Sequence, residues 1–179
     1  MQKLLWTIIV ILMASLLLLL VNLAPKWPTK KEDRLPKLLE YKYGIKHPTN
    51  QILADIYRSA GDYEDIDPAL LIAISAVESS MNHKAVSPDG STGYMGVQPK
   101  YWKTYKVTDQ YENIYAGAQV LRTYIDQTGE IDDAVIAYNI GITSFNKRKN
   151  IDRGEIYLQK VTKEYVEIQQ LLAAPTTSL

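Results

Sequence analysis

Residues 68–78 carry a single charge, the carboxylate of Glu78 at their end. Asp67 followed by Pro68 opens a helix there: a carboxylate N-cap, then proline at the first helical position, where its missing N–H costs nothing. A run that is apolar nearly all round belongs in the core of a domain. On such a helix Glu78 shares a face with Leu71, Ile74 and Ser75 by i+3, i+4 and i+7 spacing. Two readings are open at this point. Either the helix surfaces at Glu78 and the carboxylate is solvated, as most glutamates are. Or the carboxyl sits in an apolar pocket, which lifts its pKa from about 4.3 towards about 6 and suits it to general-acid work.

Beyond Glu78 lies a loop, 83–97, dense in turn residues: Ser87-Pro88-Asp89-Gly90, then Gly93 and Gly96. Loops this long inside compact domains tend to carry function, and glycines let backbone approach a ligand closely. Tyr94, Tyr101, Trp102 and Tyr105 cluster in and just after it. Flat amphipathic rings can pack on pyranose faces, and equally they serve as ordinary core and rim aromatics. A carboxylic acid, a glycine-bearing loop and a row of aromatics together point to a saccharide cleft.

The elements that must hold these groups are helical. The spacing predicts helices over 35–43, 48–59 (with Ile52, Leu53, Ile56 and Tyr57 on one face, closed by Gly61), 67–82, a short one over 100–105, and 111–128 with Ile114, Ala118, Leu121 and Ile125 along a face. A helix over 131–140 stops at Gly141, and a basic loop, Asn146-Lys147-Arg148-Lys149-Asn150, leads to a final amphipathic helix over 153–172. Residues 173–179 read as a polar, frayed tail. There is no βαβ alternation and no internal repeat, so the fold class is all-α.

The 179 residues suffice for one well-cored domain with an appendage. Twenty basic residues balance twenty acidic ones, which gives no reason to expect nucleic acid as a partner. With no cysteine, disulfides, thiolate catalysis and thiolate metal sites are excluded. His47 and His83 lie far apart in sequence and form no ligand pair, so neither a metal nor any other cofactor is expected.

Four segments carry a resemblance. Ala76-Val77-Glu78-Ser79-Ser80-Met81-Asn82 resembles the catalytic-glutamate motif of soluble-lytic-transglycosylase-like (SLT) domains, whose fold is like that of goose-type lysozyme. Ser87-Pro88-Asp89-Gly90 with Gly93-Tyr94-Met95-Gly96-Val97-Gln98-Pro99 is similar to the family's serine–glycine turn leading into Gly-Leu-Met-Gln. Asn113-Ile114-Tyr115-Ala116-Gly117-Ala118 is similar to a third motif, and Ala137-Tyr138-Asn139-Ile140-Gly141 to Ala-Tyr-Asn-Ala-Gly. These motifs occur in the family's order and cover the central third of the chain. The departures are Gly96, which stands where the family has glutamine (Gln98 comes two residues later), and Ile140 in place of a small residue. Phage-type lysozymes carry Asp and Thr downstream of their glutamate at positions that are Ser87 and Gly93 here, so that class fits poorly.

The resemblance implies a lysozyme-like domain that cleaves the β-1,4 bond between N-acetylmuramic acid (MurNAc) and N-acetylglucosamine (GlcNAc) in peptidoglycan, forming 1,6-anhydro-MurNAc. Glu78 would act as acid and then as base, with Tyr138 bonding near the reacting sugar or orienting Glu78. Ser79 and Ser87 would support the glutamate and the acetamido-bearing sugar. Gly93, Tyr94, Met95, Gln98, Tyr101 and Asn139 complete the expected substrate-binding set, largely through backbone groups of the 93–98 loop. Asp89, Asp109 and Asp132 are the candidates for a second carboxylate, and nothing in the spacing brings any of them to the cleft. A hydrolysing muramidase and a non-catalytic wall-binding assembly factor of a secretion or conjugation system are the alternatives.

Residues 4–23 carry no charge and are about 20 in number, enough for a helix to cross a bilayer. No small-residue cleavage site precedes Pro25, so an uncleaved single-pass anchor over 1–24 is expected, with a linker over 25–34 and the catalytic domain over 35–179. Lys26, Lys30, Lys31 and Arg34 flank the far end and favour a cytoplasmic domain by the positive-inside rule. Wall chemistry requires the opposite, and on that ground a domain in the periplasm, or behind a virion membrane, is expected. The partners expected are peptidoglycan glycan strands, the lipid bilayer through 4–23, and components of an envelope or virion assembly.

Overall fold

The computed structural model describes residues 34–174, all in the second of the two units into which the chain divides between residues 33 and 34. The expected membrane helix and nearly all of the linker lie outside the described residues, and no described helix is long and apolar enough to cross a membrane.

Among the described residues the architecture is all-α. The helices are α1 (Arg34–Tyr43), α2 (Thr49–Glu64), α3 (Pro68–Ser79), α4 (Gln110–Thr128), α5 (Ile131–Ile140), α6 (Ile142–Asn146) and α7 (Ile151–Ala173). Two isolated antiparallel bridges, Val86 with Thr92 and Thr92 with Val97, brace the long segment between α3 and α4.

The apolar helix α3 is the centre of the packing. Leu71, Ile72, Ala73 and Ile74 are fully buried because α2 covers one side and α7 another, with α5 bridging α4 and α7. Asp67 caps α3 as its sequence requires: Oδ1 accepts from the Ala69 amide at 2.8 Å. Its other oxygen accepts from Tyr165 Oη at 2.9 Å and Gln169 Nε2 at 2.7 Å, which ties the start of α3 to α7. The one hydroxyl within this buried run, Ser75, donates to the Leu71 carbonyl at 2.9 Å, so no polar group is left unpaired there. On α4, Ile114, Ala118 and Leu121 are buried as the periodicity requires, and Asp109 caps the helix through the Tyr111 and Glu112 amides.

Three expectations are corrected. Helix α2 does not close at Gly61 but runs on to Glu64 and ends at Asp65 in a left-handed conformation, φ 54°. A Cβ on Gly61 would stand 2.5 Å from the Ile66 carbonyl and 3.0 Å from Pro68 Cγ, so this glycine serves the close approach of the next helix rather than a helix end. The buried stripe of α2 is accordingly Leu53, Ala54, Tyr57 and Ala60, and Ile52 is 42% exposed. Residues 100–105 form turns instead of a helix: Tyr101 N bonds back to Gln98 O at 3.1 Å, and Glu112 takes the Lys106 amide at 2.7 Å, so local partners replace a helical ladder. Finally, the helix expected over 67–82 stops at Ser79, because Ser80 and Met81 turn left-handed; the short helix α6 is an additional element before the basic loop.

Helix α7 closes the domain with Gly154, Tyr157, Val161, Ile168 and Leu172 turned inward. Its last turn accepts a 2.7 Å bond from Arg34 Nη1 to the Leu172 carbonyl, which joins the first helix to the last.

Candidate active site

Glu78 ends its helix at the floor of a cleft of about 570 Å³, whose walls come from the 87–102 loop, α4, and the α5–α6 junction. Its carboxyl is partly buried and held from two sides. Tyr157 Oη, on α7, donates to Oε1 at 2.6 Å. The backbone of Gly96 lies against Oε2, so near that a Cβ there would stand 2.6 Å from the oxygen. Gly96 also has φ +60°, so a side chain at this position is excluded twice, by backbone strain and by contact with the glutamate.

Burial pushes the Glu78 carboxyl above its ordinary pKa. The Tyr157 bond and the Arg153 guanidinium work in the opposite direction, and the nearby Asp89 carboxylate reinforces the rise. The solvated-surface alternative for Glu78 is therefore overturned by its surroundings. Tyr157 itself is driven well above the ordinary phenol range by burial first and the glutamate's charge second, so it stays a donor.

Of the residues singled out in the sequence, Ser87, Gln98, Tyr101, Tyr138 and Asn139 line the cleft with Glu78. Tyr138 does not bond Glu78; its hydroxyl donates to the Met95 carbonyl at 2.9 Å and fastens the loop, while its ring forms cleft wall. Ser79 lies under the cleft: its hydroxyl bonds the Ser75 carbonyl at 2.9 Å and the Tyr94 carbonyl at 2.8 Å, tying loop to helix. Gly93, Tyr94 and Met95 do not line the cleft. Gly93 packs on the Asn113 carboxamide, Tyr94 is buried beside the His83 ring, and Met95 is wholly in the core. Burial of the Tyr94 and Met95 side chains leaves their carbonyls to hold Ser79 and Tyr138.

Among the candidate carboxylates, Asp89 does reach the cleft. Its oxygens accept from Ser87 Oγ, the Ser91 amide at 3.3 Å, Ser91 Oγ at 3.2 Å and Gln98 Nε2 at 2.6 Å. These donors, the Ser87 hydroxyl foremost, hold its carboxyl down at about 2. Asp109 is spent as the α4 cap, and Asp132 belongs to a separate groove beside Ile125 and Val166. Gln98 places its carboxamide on the cleft wall with Oε1 unpartnered among the described residues, while Gly96 contributes backbone only. Among the described residues no cluster of His, Asp or Glu is arranged to hold a metal ion.

Sequence reasoning missed three contributors. Asn113 is wholly buried and braces the loop: its Oδ1 accepts from the Met95 amide at 2.8 Å, and its Nδ2 donates to the Thr92 and Val107 carbonyls at 2.8 and 2.9 Å. Its place at the start of the third motif was the available signal. Tyr124, from α4, joins Tyr101, Trp102 and Tyr138 as cleft aromatics, whereas Tyr105 stands apart from them. Tyr157 carries no signal beyond its inward spacing with Gly154 and Val161, which any core aromatic shares.

Comparison with known proteins agrees with this geometry. Residues 55–157 match the family model "Transglycosylase SLT domain". A transglycosylase of Enterobacteria phage PRD1 is 35% identical over 85 residues, which is 46% of this chain and 32% of that protein. The solved structure of an inactive mutant of the lytic transglycosylase Slt from Pseudomonas aeruginosa has a similar fold, with a TM-score of 0.62 at 20% identity, covering 77% of this chain and 26% of that one. The chain thus spans about a third of the phage relative and about a quarter of the solved structure. Its family match runs from the middle of α2 to Tyr157, across every element that builds the cleft, and the chain belongs to the transglycosylase SLT domain family.

Proposed function

We propose that the chain is a peptidoglycan lytic transglycosylase that cuts the MurNAc-β-1,4-GlcNAc bond with a single catalytic carboxyl group. The observation that carries this reading is Glu78 itself: half-buried in the cleft, its pKa raised by that burial, and oriented by Tyr157. A neutral carboxyl in that setting is a general acid near working pH. Protonated Glu78 donates to the glycosidic oxygen as the C1–O bond of MurNAc breaks and GlcNAc leaves with the proton. The acetamido oxygen of MurNAc closes on C1 and holds the positive charge. Glu78, now ionised, takes the proton of the C6 hydroxyl, O6 displaces the acetamido oxygen at C1, and the 1,6-anhydro ring forms. Glu78 is protonated again and no water is consumed. Tyr157 stabilises the ionised stage by its hydrogen bond, and Gly96 keeps the second oxygen free of a competing side chain.

Most glycosidases add a second carboxylate as nucleophile or base. Asp89 is the residue that favours such a hydrolytic reading, since it lies in the same cleft. Both of its oxygens already accept from its own loop, which supports a bracing role instead.

Residues 4–23 would anchor the enzyme in a bilayer with the catalytic domain on the wall side, in a bacterial envelope or a virion membrane. Local wall opening during phage entry or lysis is the process proposed for it, in keeping with a phage transglycosylase among its relatives. The test is digestion of purified peptidoglycan by the full chain beside a Glu78→Gln control, read by mass spectrometry. Anhydro-muropeptides from the unaltered chain alone are expected. Reducing-end MurNAc would transfer the assignment to a hydrolase using Asp89, and wall binding without cleavage would make the chain an assembly factor. A periplasm-active reporter fused after residue 179 tests orientation; signal from a cytoplasmic reporter only would sink the exported enzyme.

A further inference from the structure

Glu78 borders two pockets. Besides the cleft already described, a second of about 430 Å³ opens on its α7 side, walled by Val77 and Ile156 and by two cations, Arg153 and Lys160. Arg153 is pinned: its Nε donates to Asn139 Oδ1 at 3.0 Å and its Nη2 to the Asn139 carbonyl at 2.9 Å. Nη1 has no hydrogen-bond partner among the described residues. Lys160 lies two turns along the same face, about 10 Å further down α7. Neither cation forms an ion pair among the described residues, where the paired cations are Lys42, Arg58 and Arg122. Glu78 is the one acid lining this pocket against two cations, so the pocket carries excess positive potential. The first cleft lacks this excess: besides Glu78 its charged lining is Arg153 and Asp89, which offset each other.

We propose that the pocket between Glu78 and Lys160 is an anion subsite that takes the carboxylate carried by the muramyl residue at the cleavage point, with Arg153 and Lys160 as its ligands. This rests on the reading of the cleft as a peptidoglycan site. A glycan strand is neutral except at muramic acid, whose O3 lactyl ether ends in a carboxyl group, either free or extended by a peptide with carboxylates of its own. The bond being cut must lie at Glu78, so the O3 substituent leaves the strand beside it. Arg153 borders both pockets and offers an unpaired N–H on a guanidinium that Asn139 has already fixed in place. A preorganised guanidinium with an N–H to spare is the arrangement that binds carboxylate well, and Lys160 on the wall of the same pocket adds positive charge. The subsite therefore selects muramyl over purely glucosaminyl glycan and sets which sugar lies on which side of Glu78.

The test uses the full chain bearing Glu78→Gln, so that binding is read without cleavage, titrated with three tetrasaccharides. These are chitotetraose, (GlcNAc-MurNAc)₂ with free lactyl groups, and the same strand bearing peptide stems. The expected result is at least tenfold tighter binding of a muramyl strand than of chitotetraose, about one charged contact's worth. Lys160→Gln, which lies outside the saccharide cleft, should remove most of that preference while leaving chitotetraose affinity unchanged; Arg153→Gln should also remove most of it, and Arg153→Lys should retain part of it. A preference already present in the stem-free strand identifies the lactyl carboxylate; one that needs the stems identifies the peptide. Equal affinity for all three ligands, unmoved by Lys160→Gln, overturns the subsite and leaves the saccharide cleft standing. No saccharide binding by the folded chain overturns both.

Discussion

At the scale of single residues, the acid depends on a tyrosine that no motif announces. Tyr157 donates to Glu78 and favours its ionised form, so Tyr157→Phe should raise the Glu78 pKa further. The alkaline limb of the pH–rate profile should move to higher pH while kcat falls about tenfold or more, the worth of a hydrogen bond to a charged group. An unshifted limb would show that Tyr157 only packs. Burial has a converse cost in stability. Because the folded state raises the Glu78 pKa, its contribution is fully present below the unfolded-state pKa and is lost as pH rises through the folded one. Glu78→Gln should therefore be inactive, melt higher than the unaltered chain at neutral pH, and lose that advantage in acid, as scanning calorimetry at both pH values would report. Glu78, Tyr138, Asn139 and Gln98 were legible in the sequence because motif order marks them. Tyr157 and Tyr124 were not, since a tertiary contact from a distant helix leaves no local trace.

At the scale of elements, α3, which carries Glu78 in its last turn, stops after Ser79 through two successive left-handed residues that are not glycine, Ser80 at φ 52° and Met81 at φ 60°. Ser80 N returns to the Ala76 carbonyl at 3.0 Å and Met81 N to Ser75 at 3.5 Å, a helix stop in which glycine is the usual occupant. The Ser80 side chain is exposed, so Ser80→Gly should relieve about 1 kcal/mol of strain and raise Tm by a few degrees without loss of cleavage. An unchanged or lower Tm would show that the turn is unstrained. The helices themselves were legible from apolar spacing. The segment between α3 and α4 was not, because Asn113 and the carbonyls of 92–95 shape it through long-range bonds. Gly61 misled for a related reason, as a glycine that ends a helix and one that admits a neighbour look alike in sequence.

At the scale of the whole molecule, α7 is both wall and clasp: it brings Tyr157 and Arg153 to Glu78 and receives Asp67 at the opposite end of α3. Asp67→Ala removes the cap and both links to α7. A loss of about 1–2 kcal/mol is expected, modest because Asp67 is exposed, and visible as a lower denaturant midpoint with cleavage intact below the transition. Cleavage lost before the transition would mean that the clasp also sets the geometry of the site.

The bond from Arg34 to the Leu172 carbonyl places the entry and exit of the folded domain side by side. A domain whose ends meet behaves as a cassette: it can be spliced into an exposed loop of another protein, or circularly permuted with a short bridge between the old ends, at little entropic cost. A cleft built on such a domain is portable between larger proteins without redesign of its core.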